Sequence, residues 1–200
     1  LADGGRADAP LMYQRGAFPL YQDDTLQALE LPYKAGQMAM VAVLPRKKDG
    51  LADLEKALTP ANLAKWTESF RQQAGAAVGH RGGQVDVYLP KFKVETSYKL
   101  NEPLKNLGMV EAFGNGDFSR MSKSGRLSIS QVIHKAFVDV NEEGTEAAAA
   151  TAVMVADATA VRPNPPPIPV FRADHPFAFL LVHRPTNAIL FQGRVTNPKG

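Results

Sequence analysis

The 200-residue sequence contains no cysteine, which excludes a disulfide framework and any metal site built on thiolates. A strong charge bias is also missing, since 23 lysines and arginines are set against 20 aspartates and glutamates. The basic residues are spread along the chain, whereas nucleic-acid binding needs a concentrated basic face. No apolar run reaches the roughly 18–20 residues that a membrane-spanning helix requires. We therefore expect neither a nucleic acid nor a membrane as a partner.

Recognisable enzyme motifs are missing as well. The sequence has no G-x-S-x-G nucleophile elbow, no H-E-x-x-H zinc motif, no phosphate-binding loop and no dinucleotide fingerprint. The four histidines are dispersed, and none has the spacing of metal ligands; they are His80, His134, His175 and His183. A hydrolase that uses His134 or His175 is the weakest hypothesis, because no nucleophile motif accompanies either residue. We expect a protein that is not an enzyme and that uses no metal or other cofactor.

Apolar periodicity predicts a mixture of strands and short helices, which is an α+β fold. Two apolar runs, 26–31 and 38–44, are separated by a short turn with a glycine and predict a hairpin buried on both faces. Leucines at helical spacing follow, and Thr59 and Pro60 suit the N-cap and first position of a second helix. The other predicted elements, in chain order, are a strand at 85–96, a short helix at 100–107 ended by Gly108, a long strand at 127–140, and closing strands at 177–182 and 188–192.

Two side chains are predicted to have structural roles. Trp66 belongs to an apolar stripe with Leu63 and Phe70, so we expect it to lie in the core. His134 lies in the middle of the long apolar strand. The favoured interpretation is a buried histidine that forms hydrogen bonds with its neighbours.

Residues 145–170 break the pattern of regular elements. Residues 145–152 are almost all small, and residues 156–169 are polar and rich in proline. Alanine has the best helix propensity, so a helix capped by Thr145 is one interpretation of the first part. However, the long strand runs straight into it, and small side chains suit a segment that slides between two existing strands without overpacking them. Gly144 would then be the hinge, because glycine adopts backbone angles closed to other residues.

This segment resembles the hinge of the inhibitory serpins, a family of serine protease inhibitors. The matching residues are Glu142, Glu143, Gly144, Thr145, Glu146, Ala147, Ala148, Ala149, Ala150 and Thr151. Further similar blocks follow the serpin order and lie at 29–33, 38–45, 89–91, 134–136, 176–180 and 190–198. Because these blocks span nearly the whole chain, we identify residues 1–200 as the C-terminal part of a single serpin domain. The family's N-terminal half is absent, so the strands expected at 85–96 and 127–140 would have exposed edges that invite aggregation.

The resemblance implies a function as well as a fold. Serpins present a reactive-centre loop, here about residues 142–170, above a five-stranded sheet. A serine protease attacks the loop and forms an acyl-enzyme, and the hinge side of the cut loop then inserts into the sheet and distorts the enzyme. The alternatives are a non-inhibitory serpin that acts as a carrier or chaperone, and an interaction module that binds its partner through the proline-rich segment 164–169.

The resemblance also places the scissile bond. Counting from Glu142 at the family's usual spacing gives Ala158, with Thr159 after the cut. A small residue there favours elastase-like or subtilisin-like proteases. Counting back from the closing hairpin gives a later position and makes Arg162 a candidate, although Pro163 would impede cleavage after it. The remaining alternatives are Val155 and Val161.

Supporting roles follow from the same resemblance. Lys91 and Glu142 match a pair that forms a salt bridge at the top of the sheet. His134 matches a histidine in the region where the sheet opens, where it forms a hydrogen bond with a neighbouring strand. For the full-length protein, the resemblance implies a metastable monomer that is secreted or otherwise extracytoplasmic.

Overall fold

A computed structural model describes residues 5–76, 84–122, 127–142 and 167–199. The chain divides into two units, one formed by Leu1–Phe92 with Val140–Gly200 and the other by Lys93–Asp139. Both contain strands and short helices, in agreement with the predicted α+β class. In chain order the elements are β1 Leu11–Ala17, β2 Leu20–Gln22, β3 Leu26–Pro32, β4 Met38–Pro45, α1 Leu51–Ala57, α2 Pro60–Ala76, β5 Gln84–Pro90, β6 Phe92–Lys99, α3 Asn101–Asn106, a 3-10 turn Glu111–Phe113, β7 Ile133–Val140, β8 Val170–Arg172, β9 Phe177–His183 and β10 Ala188–Val195.

An antiparallel five-stranded sheet forms the centre of the first unit, in the order β10-β9-β4-β3-β2. The two predicted hairpins, β3–β4 and β9–β10, are both confirmed. In the β3–β4 turn, the Gly36 N–H donates to the Tyr33 carbonyl at 2.7 Å. Gly36 has a φ of +68°, in the left-handed region, so this turn depends on glycine.

Helices α1 and α2 cover one face of this sheet. The Thr59 hydroxyl accepts a hydrogen bond from the Asn62 N–H at 3.3 Å, which confirms the predicted N-cap. Trp66 is only 2% exposed, as the stripe predicted. The strands contribute alternate residues to one buried cluster, and the helices contribute residues three or four positions apart. The cluster contains Leu26, Ala28, Val41, Val43, Leu51, Leu54, Trp66, Phe70, Ala178 and Leu180.

Aromatic rings fill the opposite face of the sheet. The ring of Phe92 lies 5.8 Å from Phe177 and 5.4 Å from Phe179, measured between centroids. Phe179 is paired across the strands with Gly193, and a Cβ atom at Gly193 would lie 2.6 Å from its ring. The ring therefore occupies the space that a side chain on β10 would need.

A three-stranded sheet, β1-β5-β8, completes the first unit. Strand β5 is antiparallel to β1 and parallel to β8. Phe171 of β8 is fully buried, and the Gln27 amide donates to the Val170 carbonyl at 3.0 Å, which joins this sheet to β3. Strands β1, β2 and β8 were not predicted, because they are short or half-exposed and lack a continuous apolar run.

In the second unit, α3 ends as predicted. Gly108 has a φ of +98°, and its N–H donates to the Lys105 carbonyl at 2.9 Å. The prediction of a long strand at 127–140 is wrong for its first half, because β7 begins only at Ile133. The residues before it form scattered bonds instead of a ladder. The side chain of Asn101 bonds to the Ser130 carbonyl and to the Val132 N–H, at 2.9 and 2.8 Å.

The prediction of a single strand at 85–96 is also wrong. The chain forms two strands there, separated at Lys91: β5 belongs to the three-stranded sheet and β6 pairs with β7. Pro90, at the break, lacks the N–H that a continuing ladder would use. Alternation of apolar residues indicates extended structure but not which sheet a strand joins.

The turn between β2 and β3 is held by the Asp23 carboxylate. It accepts bonds from the Thr25 hydroxyl at 2.6 Å, from the Thr25 and Leu26 N–H groups at 2.8 and 3.0 Å, and from the Tyr21 hydroxyl at 2.8 Å. Burial works to raise the pKa of Asp23, but these bonds outweigh it and lower the pKa to about 2. The folded protein thus favours the ionised carboxylate.

Replacing Gly193 with alanine should lower the free energy of unfolding by about 1–3 kcal/mol, because the new methyl group displaces the buried ring of Phe179. Urea unfolding followed by circular dichroism measures the change. Gln192→Ala, at the exposed neighbouring position on the same strand, is the matched control. It should stay within about 0.5 kcal/mol of the parent. Equal losses in the two variants would contradict this packing.

Stability should also depend on Asp23 in acid. Because its folded pKa lies below its unfolded value, the contribution is complete above about pH 4 and is lost as the pH falls towards about 2. Asp23→Asn should cost about 1 kcal/mol or less at neutral pH, given its partial exposure, and should flatten the dependence in this window. Urea midpoints of both proteins from pH 2 to 6 test this. If the urea midpoint of Asp23→Asn falls with pH as steeply as that of the parent, this role of Asp23 is refuted.

Candidate functional site

Most of the predicted reactive-centre loop lies outside the described residues. This applies to the hinge residues 143–151 and to all candidates for the scissile bond, namely Ala158, Thr159, Val155, Val161 and Arg162. The structure does describe both places where the chain meets this segment. Glu142 stands at its beginning, and residues 167–170 lead from its end into β8.

At the beginning of the loop, Lys91 and Glu142 form an ion pair. The Lys91 ammonium lies 2.7 Å from a Glu142 carboxylate oxygen, and the two side chains are 47% and 60% exposed. The hydrogen bond from Lys91 is the main reason that the pKa of Glu142 is lowered. Exposed pairs of this kind contribute little to stability, typically about 0–1 kcal/mol. The contact can therefore orient the start of the loop without holding it firmly.

At the end of the loop, the chain is held by backbone bonds and a buried ring. The Asp86 N–H donates to the Pro169 carbonyl at 3.0 Å, and the Ala173 N–H donates to the Tyr88 carbonyl at 2.9 Å. Between these bonds lies the fully buried Phe171. Burying an aromatic side chain stabilises by about 1.5–3 kcal/mol, more than the exposed ion pair does. The C-terminal end of the loop is thus the better anchored of the two.

Polar side chains stiffen the sheet that carries this end. The Arg15 guanidinium donates two bonds to Asp86, at 2.6 and 2.7 Å, and the Tyr13 hydroxyl donates a third at 2.9 Å. The hydrogen bond from Arg15 is the main cause of the lowered pKa of Asp86. Arg172 of β8 lies over the Tyr88 ring at 4.9 Å. Sequence analysis missed this cluster, because its members lie on three strands whose register no local pattern reveals.

His134 lies on a strand, as the sequence predicted, but it is not buried there. The prediction of a buried histidine is wrong, because its side chain on β7 is exposed. Among the described strands β7 pairs with β6 alone, so nothing there covers His134. Its apolar neighbours Ile133 and Phe137 are each 52% exposed as well. The gating role that the resemblance assigned to His134 stays a prediction.

The described residues also include no cluster of three or more histidine and acidic side chains that could hold a metal ion. Within the same part of the chain, no helix combines the length and apolar character needed to cross a membrane. That neither a nucleic acid nor a membrane is a partner stays a prediction.

Comparison with known sequences gives a family match over residues 1–198, to the family described as serpin (serine protease inhibitor). The chain is 41% identical over 198 residues to an uncharacterized serpin-like protein of Thermococcus kodakarensis, covering 99% of this chain and 43% of that protein. It is 41% identical over 195 residues to the leukocyte elastase inhibitor of Sus scrofa, covering 94% and 48%. The chain thus spans about half the length of these relatives.

Solved structures give the same result. Uncleaved ovalbumin superposes with a TM-score of 0.70 at 31% identity, covering 95% of this chain and 44% of that one. Thyroxine-binding globulin in complex with thyroxine superposes with a TM-score of 0.71 at 29% identity, covering 96% and 47%. Because the family match extends over nearly every residue and the fold agrees with it, the chain belongs to the serpin family.

Proposed function

We propose that the whole protein inhibits a serine protease by the suicide-substrate mechanism of serpins. One observation carries the proposal: the hinge that follows β7 contains a run of small residues, with four consecutive alanines at 147–150. A segment that inserts between two strands must pass side chains through a closely packed space, and alanine adds the least volume. On this proposal the protein is an inhibitor, not an enzyme.

The chemical step would be carried out by the target protease. Its serine oxygen attacks the carbonyl carbon of Ala158, the peptide bond to Thr159 breaks, and the released amino group takes up a proton. The acyl-enzyme is then linked to the hinge side of the loop. Insertion of that side as a new strand adds ladder hydrogen bonds and buried surface, which drives the trapping of the enzyme.

The unequal anchoring of the two loop ends supports this sequence of events. Beyond Val140, where β7 ends, the described hinge residue Glu142 is held by an exposed ion pair with Lys91, which costs little to break. The other end stays attached through β8 and the buried ring of Phe171. Cleavage would therefore release one end while the C-terminal piece remains bound to the three-stranded sheet.

The proposed target is an elastase-like or subtilisin-like protease. The small side chain of Ala158 fits a shallow specificity pocket. The likeness to a leukocyte elastase inhibitor supports this class of partner. Monomeric state and secretion are further proposals for the whole protein, and they rest on the family resemblance.

A non-inhibitory carrier is the second candidate function. The structural likeness to thyroxine-binding globulin favours it, since that protein was solved with thyroxine bound. The hinge argues against it, because large or charged residues are common there in non-inhibitory serpins and this chain has alanines. A protein module that binds partners through 164–169 would differ from both, because its binding would survive cleavage of the loop.

Incubation of the whole protein with an elastase-like protease should give a covalent complex that survives denaturing electrophoresis. Mass spectrometry of the released C-terminal peptide should place its first residue at Thr159. A subtilisin-like and a trypsin-like enzyme serve as comparisons. Complex formation with cleavage after Arg162 by the trypsin-like enzyme would assign the scissile bond to Arg162 instead of Ala158. Complete cleavage without any complex would refute inhibition.

Replacing Ala148 with glutamate should convert the inhibitor into a substrate, because a charged side chain opposes insertion into a packed sheet. The stoichiometry of inhibition should rise about tenfold or more, while the rate of loop cleavage stays unchanged. Ala35→Glu, which adds the same charge at an exposed turn, is the matched control and should behave as the parent. Unchanged stoichiometry in Ala148→Glu would argue against hinge insertion.

A further inference from the structure

His175 lies in the connection between β8 and β9 and holds two elements together. Its side chain is 11% exposed. The Nε2 atom is 2.7 Å from the carbonyl oxygen of Pro45, the last residue of β4, and Nδ1 is 2.9 Å from a carboxylate oxygen of Asp174. The ring thus bridges the end of β4, the central strand of the five-stranded sheet, and the segment that follows the predicted loop.

Both partners of the ring are hydrogen-bond acceptors. A carbonyl oxygen and an ionised carboxylate can only accept, and a neutral imidazole carries a single N–H. Burial works to raise the pKa of Asp174, but the interactions with His175 and Arg172 together outweigh it and lower the pKa, so this group stays ionised. Only the doubly protonated ring can donate to both partners. In the neutral ring, a nitrogen lone pair would face Asp174 or Pro45.

Few other charges face this contact among the described residues. Arg172 lies 3.3 Å from the second oxygen of Asp174 and leaves the first one to the ring. On the β4 side, Arg46 follows Pro45, but its guanidinium bonds to the Asp23 carbonyl and the Gln22 side chain. Among these contacts, the bond to Asp174 is therefore the one that a change in the charge of His175 alters most.

We propose that His175 is a positioning residue for the C-terminal end of the reactive-centre loop, and that its doubly protonated ring fixes β8 by bridging Pro45 and Asp174. Strand β8 is three residues long, so the bridge adds a second fixed point directly after the strand to the buried ring of Phe171 within it. Loss of one ring proton removes the Asp174 bond and loosens the segment. Because the bridge needs two N–H donors, it closes only while the ring keeps both of its protons.

The consequence for inhibition rests on the proposed function, whereas the bridge itself does not. A looser β8 leaves the loop less ordered at its better anchored end, and a less ordered loop is a poorer ligand for the protease. Association with the target should therefore slow as the pH rises, relative to a variant without the bridge. Comparison with that variant cancels the pH dependence of the protease itself.

Hydrogen exchange of the Ala173 amide in the whole protein tests the bridge directly, because this N–H donates to Tyr88 and reports on the end of β8. After correction for the intrinsic exchange rate, exchange should be on the order of tenfold faster at about pH 8.5 than at about pH 5.5. In His175→Gln it should be fast at both pH values. His183→Gln is the matched control, since the His183 ring bonds to the Thr186 hydroxyl in the β9–β10 turn, and it should behave as the parent.

The variant Asp174→Asn distinguishes a bridge that depends on the ring protons from a bridge that depends only on packing of the ring. An asparagine amide can donate to the neutral ring while Nε2–H still donates to Pro45, so the bridge should stay closed and exchange stay slow at both pH values. Parent exchange without pH dependence, or an Asp174→Asn variant that keeps the parent's dependence, would overturn the proposal. A pH-dependent bridge in a protein that forms no protease complex would uphold the bridge and refute the inhibitory function alone.

Discussion

Burial of β4 and β9 on both faces is the constraint on which the rest of the first unit depends. Each of these strands must present apolar side chains to the helices on one side and to the aromatic rings on the other. Leu180 and Phe179 are neighbours in sequence, yet each is almost fully buried on its own face. Every layer around the sheet is needed to keep such residues from water, and burial of this apolar surface is the largest favourable contribution to folding.

The anchoring of the loop follows from that arrangement. Strand β8 is joined to the central sheet through Gln27 and through the buried ring of Phe171, so it shares the stability of the core. Glu142, at the other end, is exposed and pairs with the exposed ammonium of Lys91. A loop with one firm and one weak attachment suits the proposed mechanism, in which one end must leave and the other must stay.

Sequence reasoning worked best where an element is defined by local periodicity. The two hairpins, the capped helix α2 and the end of α3 at Gly108 depend on contacts within a few residues, and each was predicted with its physical cause. It failed where neighbours distant in sequence decide the outcome. The segment 127–132 has the composition of a strand but bonds to Asn101 and its surroundings. His134 lies on a strand that pairs, within the described residues, with β6, and its side chain is exposed.

The sequence alone determined the family and the small-residue hinge, because both are written in contiguous motifs and in side-chain volume. It also determined which strands are apolar on both faces. Only the tertiary structure decided which atoms meet: that Lys91 reaches Glu142, that Arg15 clamps Asp86, and that both ring nitrogens of His175 face acceptors. Such contacts depend on strand register and chain crossings, which long-range packing sets and local patterns do not encode.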